Sequence, residues 1–172
     1  EAMADRVREA IAKIPADRQA AARLVFTAHS IPVPMAEGSK YELQLRESSR
    51  LVTESLGRTD WTLVFQSRSG PPTQPWLEPD VCDYIESINA NNGDHGEIRD
   101  IVIVPIGFIS DHMEVLFDLD TEAQERCDKL GIGMQRAGTV GTHPAFVECL
   151  RAMIEERFTE AEERPALGEL GA

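Results

Sequence analysis

The chain has 172 residues, and its 17 Lys plus Arg stand against 30 Asp plus Glu, for a formal charge of −13. With 42% hydrophobic and 27% charged residues, the composition is that of one globular domain able to bury its own core, so intrinsic disorder is excluded. The acidic balance also excludes a protein that wraps nucleic acid, which needs clustered Lys and Arg, and no apolar run reaches the roughly 18–20 residues that span a bilayer.

No basic segment followed by an apolar one opens the chain, so it reads as soluble and unexported. Cys82, Cys127 and Cys149 are odd in number and form no CxxC, which predicts free thiols in a reducing, cytoplasmic setting. The sequence starts on Glu1 within a helical stretch, so a piece of a longer protein is expected.

In chain order, residues 2–13 place Ala, Ile or Val every three to four positions and predict a surface helix. Residues 23–28 (RLVFTA) predict a buried strand, and IPVPMAEG, with its two prolines, a turn. Helical spacing resumes over 39–56, with Tyr41, Leu45, Val52 and Leu56 on one broad face and Gly57 as the stop. WTLVFQ (61–66) is a second strand; the proline-rich loop SRSGPPTQPWLEPD leads to a helix over 80–91, closed by NNGDHG. A third strand is expected over 99–107, an acidic helix over 110–130 ending at Gly131, and a weaker strand over 132–136. Thr142 or His143 can cap the last helix, with Pro144 at its first position. The polar tail 159–172 is expected to fray, leaving one domain over 1–158. Alternating helices and strongly apolar strands predict an α/β fold: a three-layer, Rossmann-like domain whose four-stranded parallel sheet is flanked by helices.

In such a sheet ligands bind beyond the carboxyl ends of the strands. His29-Ser30 follows the first strand, Gln66-Ser67-Arg68-Ser69-Gly70 the second and Ser110-Asp111-His112-Met113-Glu114 the third, so the polar clusters share one rim. Asp111, Glu114, Asp118 and Glu122 recur every three or four residues, and on an α-helix Glu114, Asp118 and Glu122 form a row. A solvated helix start explains Asp111 and Glu114 well through the macrodipole, but Asp118 and Glu122 poorly; cation guidance or proton transfer is the competing reading.

A histidine directly after a buried strand is more often structural than catalytic, and His29 and His112 both carry that ambiguity. His112 stands at a helix start that Ser110 or Asp111 can cap, His95 reads as a solvent-exposed loop residue, and His143 as cap chemistry. There is no HExxH and no pair of histidines at i, i+4, so a closed zinc site is not indicated. The GxGxxG and GxxxxGK[ST] phosphate loops are absent.

The segments LVFTAHSIP (24–32), LVFQSRSGPPTQPWLEP (63–79) and VPIGFISDHMEVLFDLDTEA (104–123) resemble, in order and spacing, the carboxy-terminal half of ferrochelatases, over about residues 1–158. The resemblance implies a chelatase-like domain that inserts ferrous iron into protoporphyrin or coproporphyrin in haem biosynthesis. It matches the family's essential histidine to His29 and its essential glutamate to Glu114, as the catalytic and metal-contacting pair. Asp111, His112, Asp118 and Glu122 match the residues beside them and the acidic ridge. Position 118 is Asp where the family usually has glutamate, and Phe117 stands where tyrosine is common. Ser67, Arg68, Gly70, Pro71 and Trp76 match a loop beside the cleft that shapes the pocket. In the family two similar domains face each other across the porphyrin, so the implied partner is an amino-terminal ferrochelatase domain or a second copy of this chain. No cofactor is implied beyond the substrate Fe2+; some members carry an iron–sulfur cluster, for which these three cysteines are too few and too spread.

Porphyrin metallation requires two pyrrole protons to leave as the cation enters. A neutral imidazole suits the first duty and carboxylates suit cation delivery and proton relay, yet His29 and Glu114 are not assigned one duty each by sequence. Two other readings compete: a module that holds tetrapyrrole or metal without turnover, and a flavodoxin-like phosphate binder, which lacks the glycine-rich or Ser/Thr-rich first loop it would need.

Overall fold

The computed structural model describes residues 1–71, 73–90 and 98–158. The expected exposed loop around His95 and the expected tail from Thr159 lie outside these residues.

Four strands, β1 (Arg23–His29), β2 (Trp61–Gln66), β3 (Asp100–Val104) and β4 (Gly133–Arg136), form one sheet in the order β2-β1-β3-β4, with every neighbouring pair parallel. Successive strand residues face opposite sides, and each side is apolar because each is covered. Leu24, Phe26, Ala28, Leu63, Phe65, Val102 and Val104 pack against α1 (Ala2–Ile11) and α3 (Tyr41–Ser55) on one face. On the other, Val25, Val64, Ile101 and Ile103 pack against α4 (Val81–Ala90) and the helical run that follows β3. The expected three-layer α/β architecture is therefore observed. Among the described residues no helix is long and apolar enough to cross a membrane.

The chain passes from β1 to β2 on one side and from β3 to β4 on the other, so its direction of winding reverses between β1 and β3. That is the position at which open α/β sheets gather ligands.

Several element boundaries differ from expectation. IPVPMAEG is not a turn throughout: Val33–Glu37 form a short helix, α2, with Pro32 at its cap and Pro34 in its first turn. The two prolines are tolerated because N–H groups there have no partner within the helix. The third strand stops at Val104, since Pro105 has no N–H and the next residues fold back, with Ile106 N–H donating to Val104 O at 2.8 Å and Gly107 N–H to Thr27 O at 3.1 Å. The acidic helix starts at Met113 and not at Ser110; His112, in extended conformation, occupies the cap position without a side-chain cap bond. From there α5 (Met113–Phe117), a π-helical segment (Asp118–Ala123) and α6 (Gln124–Leu130) run on as one helix to Gly131, whose φ of 71° ends it as expected. The last helix, α7 (Pro144–Phe158), is capped by His143, whose Nδ1 accepts the Ala145 N–H at 3.2 Å.

Candidate functional site

His29 is the last residue of β1, in register with Gln66 at the end of β2. Its ring is half-buried, and Nδ1 lies 2.5 Å from the Ser30 carbonyl. A carbonyl only accepts, so Nδ1 carries the proton and the Nε2 lone pair is left for chemistry. The segment around His29 is tied down from several sides: Tyr41 Oη donates to His29 O at 2.9 Å, Ser30 N–H donates to Gln66 O at 2.7 Å, and Ser30 Oγ donates to Leu77 O at 2.8 Å.

The loop after β2 folds back over the residues that follow His29. Leu77 N–H donates to Ile31 O at 2.9 Å and Val33 N–H to Pro75 O at 3.0 Å. Gly70 lets this loop close, because a Cβ there would stand 2.3 Å from the Trp76 ring. Arg68 lies at the loop surface, 3.9 Å from Glu78.

On the β3 side, Glu114 is exposed in the first turn of α5, where the macrodipole favours a carboxylate. His112 packs edge-on against Phe108 at 5.3 Å. Asp111 lies before the helix and pairs with Arg136 at 3.1 Å, and Arg136 also grips Asp120 through Nε and Nη2. Burial works against the Arg136 cation, but Asp120 and Asp111 hold its pKa above the ordinary arginine value. Asp111 thus shares the Arg136 cation with Asp120.

The π-helical segment changes that row. Its i→i+5 bonding widens the turn, so the α-helical spacing of Glu114, Asp118 and Glu122 is not kept. Asp118 and Glu122 instead line a cavity of about 200 Å³ together with Gln66, Ser67, Arg68 and Asp80, while Glu114 stands outside it. A neighbouring cavity of about 320 Å³ shares Asp80, Cys82 and Glu122 and continues to Glu125. Burial raises the Asp80 carboxyl above the usual carboxylate range, against the pull of the Cys82 N–H bond, and the charges of Asp83 and Asp118 add to the rise. Burial, with Asp80 nearby, pushes the Cys82 thiol up to about 11, so it is a neutral thiol at pH 7.

His29 ends β1 and Glu114 lies in the first turn of the helix that follows β3, the two strands at the switch, while Ser67, Asp118 and Glu122 meet at the cavity beyond β2. Among the described residues no three His, Cys, Asp or Glu side chains converge as a preformed metal site. In the sequence Tyr41 reads only as part of a helix face and Gln66 only as a member of the polar rim cluster, while Asp80 carries no signal of its own. Gln66 ends an apolar strand and Asp80 opens a helix, and both positions have ordinary structural explanations.

A family model of ferrochelatases matches residues 1–158. The chain belongs to the ferrochelatase family. A ferrochelatase of Rhodopirellula baltica is 55% identical over 170 residues, which are 99% of this chain and 47% of the relative. The coproporphyrin III ferrochelatase of Nocardia farcinica is 44% identical, over 92% of this chain and 46% of its own length. That of Streptomyces griseus is 40% identical, over 98% and 49%. The chain thus spans about half the length of the curated relatives it matches. A solved structure, a putative cobalamin biosynthesis CbiX protein of Marinobacter aquaeolei, overlaps with a TM-score of 0.48 at 11% identity, covering 81% of this chain and 98% of that one.

Proposed function

We propose that this chain is the carboxy-terminal half of an enzyme that inserts ferrous iron into a porphyrin, and that it acts with an amino-terminal half in the cytoplasm. The observation that supports this is that His29 ends β1 and Glu114 lies in the first turn of the helix after β3, the two strands at the switch, in a chain of the ferrochelatase family. Free cysteines support the reducing compartment.

His29 Nε2 takes a pyrrole proton, since Nδ1–H is held by the Ser30 carbonyl. The same lone pair meets either a proton or the iron, so His29 contacts metal only while deprotonated. Glu114 supplies the opposing charge at the rim, and Asp118 and Glu122 behind it draw in the cation and carry protons outward, as oxygen ligands hold ferrous iron loosely enough to release it. Exposed Ile109, Met113, Leu116 and Phe117 surround this chemistry with apolar surface suited to a macrocycle.

The amino-terminal half is the proposed partner because the relatives are twice as long and α7 turns apolar residues outward. Val147, Leu150, Ile154 and Phe158 recur along one stripe of that helix, and all are exposed.

The test is a chimera in which this chain replaces the corresponding half of the Rhodopirellula baltica relative, given ferrous iron anaerobically with protoporphyrin or coproporphyrin III in separate assays. Metallation that is lost on His29→Ala is expected. Porphyrin binding without turnover would end the enzyme reading and leave a tetrapyrrole-binding module.

A further inference from the structure

Asp118 is held by two neighbours that none of the chemistry above uses. Gln66 Nε2 donates to Asp118 Oδ2 at 3.2 Å, and Ser67 Oγ donates to the same oxygen. Both donors taking Oδ2 leaves Oδ1 as the oxygen available to the cavity that Asp118 lines.

Neither donor is placed casually. Gln66, which lines this cavity, is 1% exposed, and its side-chain Oε1 has no partner among the described residues. A buried amide at the end of an apolar strand with one oxygen unsatisfied is costly, which a packing role alone does not explain. Ser67 has a φ of 61°, the left-handed region that non-glycine residues seldom adopt. That conformation turns the chain sharply at the end of β2 and brings the hydroxyl to Asp118. Gln66 also reaches the other side of the site, because its carbonyl accepts the N–H of Ser30, the residue after His29.

We propose that Gln66 and Ser67 are positioning residues that fix the Asp118 carboxylate, and through the Ser30 bond its distance from His29, so that this carboxylate meets iron in one orientation. This rests on the chelatase reading for its kinetic consequence. It does not rest on it for the geometry. Without the two donors Asp118 would rotate among its side-chain conformers, and the entering cation would meet an averaged charge; the proton-accepting lone pair of His29 would be untouched.

The experiment has two arms. In the chimera described above, Ser67→Ala and Gln66→Leu are expected to raise KM for ferrous iron by about tenfold, the scale of a hydrogen bond to a charged group, with kcat within about twofold. Added to Asp118→Ala, either change should have no further effect, because the oxygen that accepts both bonds is already gone. In the chain alone, three-bond couplings should report one Asp118 χ1 conformer in the wild type and averaging in Ser67→Ala and Gln66→Leu. Additive effects in the double variants, a loss confined to kcat, or an Asp118 side chain already averaged in the wild type would each overturn the proposal. A chimera that fails to metallate while the couplings behave as expected would overturn the chelatase reading and leave the positioning geometry standing.

Discussion

The Tyr41 hydroxyl donates to the main-chain carbonyl of His29 at 2.9 Å, tying the first turn of α3 to the last residue of β1. Burial pushes the phenol above its ordinary pKa, so it remains a donor through the neutral range. Tyr41→Phe is expected to lower stability by about 0.5–1.5 kcal/mol in urea unfolding, the net worth of one such bond. In the chimera it should slow metallation far less than His29→Ala, since it loosens the base without removing it. A Phe variant as inactive as the Ala variant would mean that Tyr41 itself handles a proton.

Gly107 allows the turn after β3 to lie on β1. A Cβ at this position would be 2.6 Å from Ala28 Cβ and 2.9 Å from Ala28 Cα, and backbone cannot swing aside as a side-chain tip can. Gly107→Ala should therefore cost about 1–3 kcal/mol, as overpacking does, and displace the end of β1 where His29 sits. Denaturant unfolding with an unchanged midpoint would show that the turn has room to move.

Asp80 does two opposing things. Its Oδ1 accepts the Cys82 N–H at 2.8 Å and caps α4, while burial disfavours its charge. The folded pKa lies above the unfolded one, so the native state binds the proton more readily, and stability falls as pH rises from the ordinary carboxylate range through the folded value. Asp80→Asn keeps the cap oxygen and loses the charge. It should be at least as stable as the wild type at pH 7, with the difference vanishing at pH below both values. Asp80→Ala loses the cap as well and should be less stable than Asp80→Asn by about 1 kcal/mol. Thermal unfolding of the three proteins from pH 3 to 8 checks the order.

The sheet was legible because its strands are short apolar runs: WTLVFQ was expected over 61–66 and β2 spans those residues. Helix ends were legible where glycine takes a positive φ, as at Gly57 and Gly131. What sequence pattern could not reveal depends on contacts between distant segments. The π-helical turn at Asp118 is one case, since DLDTEA carries no local mark of it and an α-helical row was the natural reading. The pairing of Asp111 with Arg136 is another, because it joins residues brought together only by the β3/β4 crossover. Periodicity likewise placed Glu114, Asp118 and Glu122 on one helix but could not tell that Gln66 and Ser67 would hold the middle one.

Among the exposed residues of α7, Val147 and Ile154 lie seven apart on the outward stripe and carry no load in this chain's own core. Val147→Glu with Ile154→Glu should leave the thermal unfolding of the chain unchanged and abolish its association with a separately supplied amino-terminal half of the Rhodopirellula baltica relative. Sedimentation of the mixture reads this directly. A wild-type chain indifferent to that half, or one that pairs through the same residues with its own copy, would assign the stripe to another occupant.

The three rim residues should fall in a definite order. His29→Ala removes the only Nε2 at the end of β1, and a lost general base typically costs about 10²- to 10⁴-fold in rate. Glu114→Gln keeps the shape of an exposed side chain and removes its charge, so metallation should drop by a comparable factor with the fold intact. Asp118→Asn should be milder, because Glu122 still lines the same cavity. Its effect should appear chiefly in KM for ferrous iron if, as proposed, Asp118 draws in the cation. Equal losses for all three in kcat, measured in the chimera with far-ultraviolet circular dichroism as the control for folding, would instead make Asp118 a participant in proton removal. The separation of KM and kcat effects therefore distinguishes an acid row that delivers iron from one that takes the pyrrole protons.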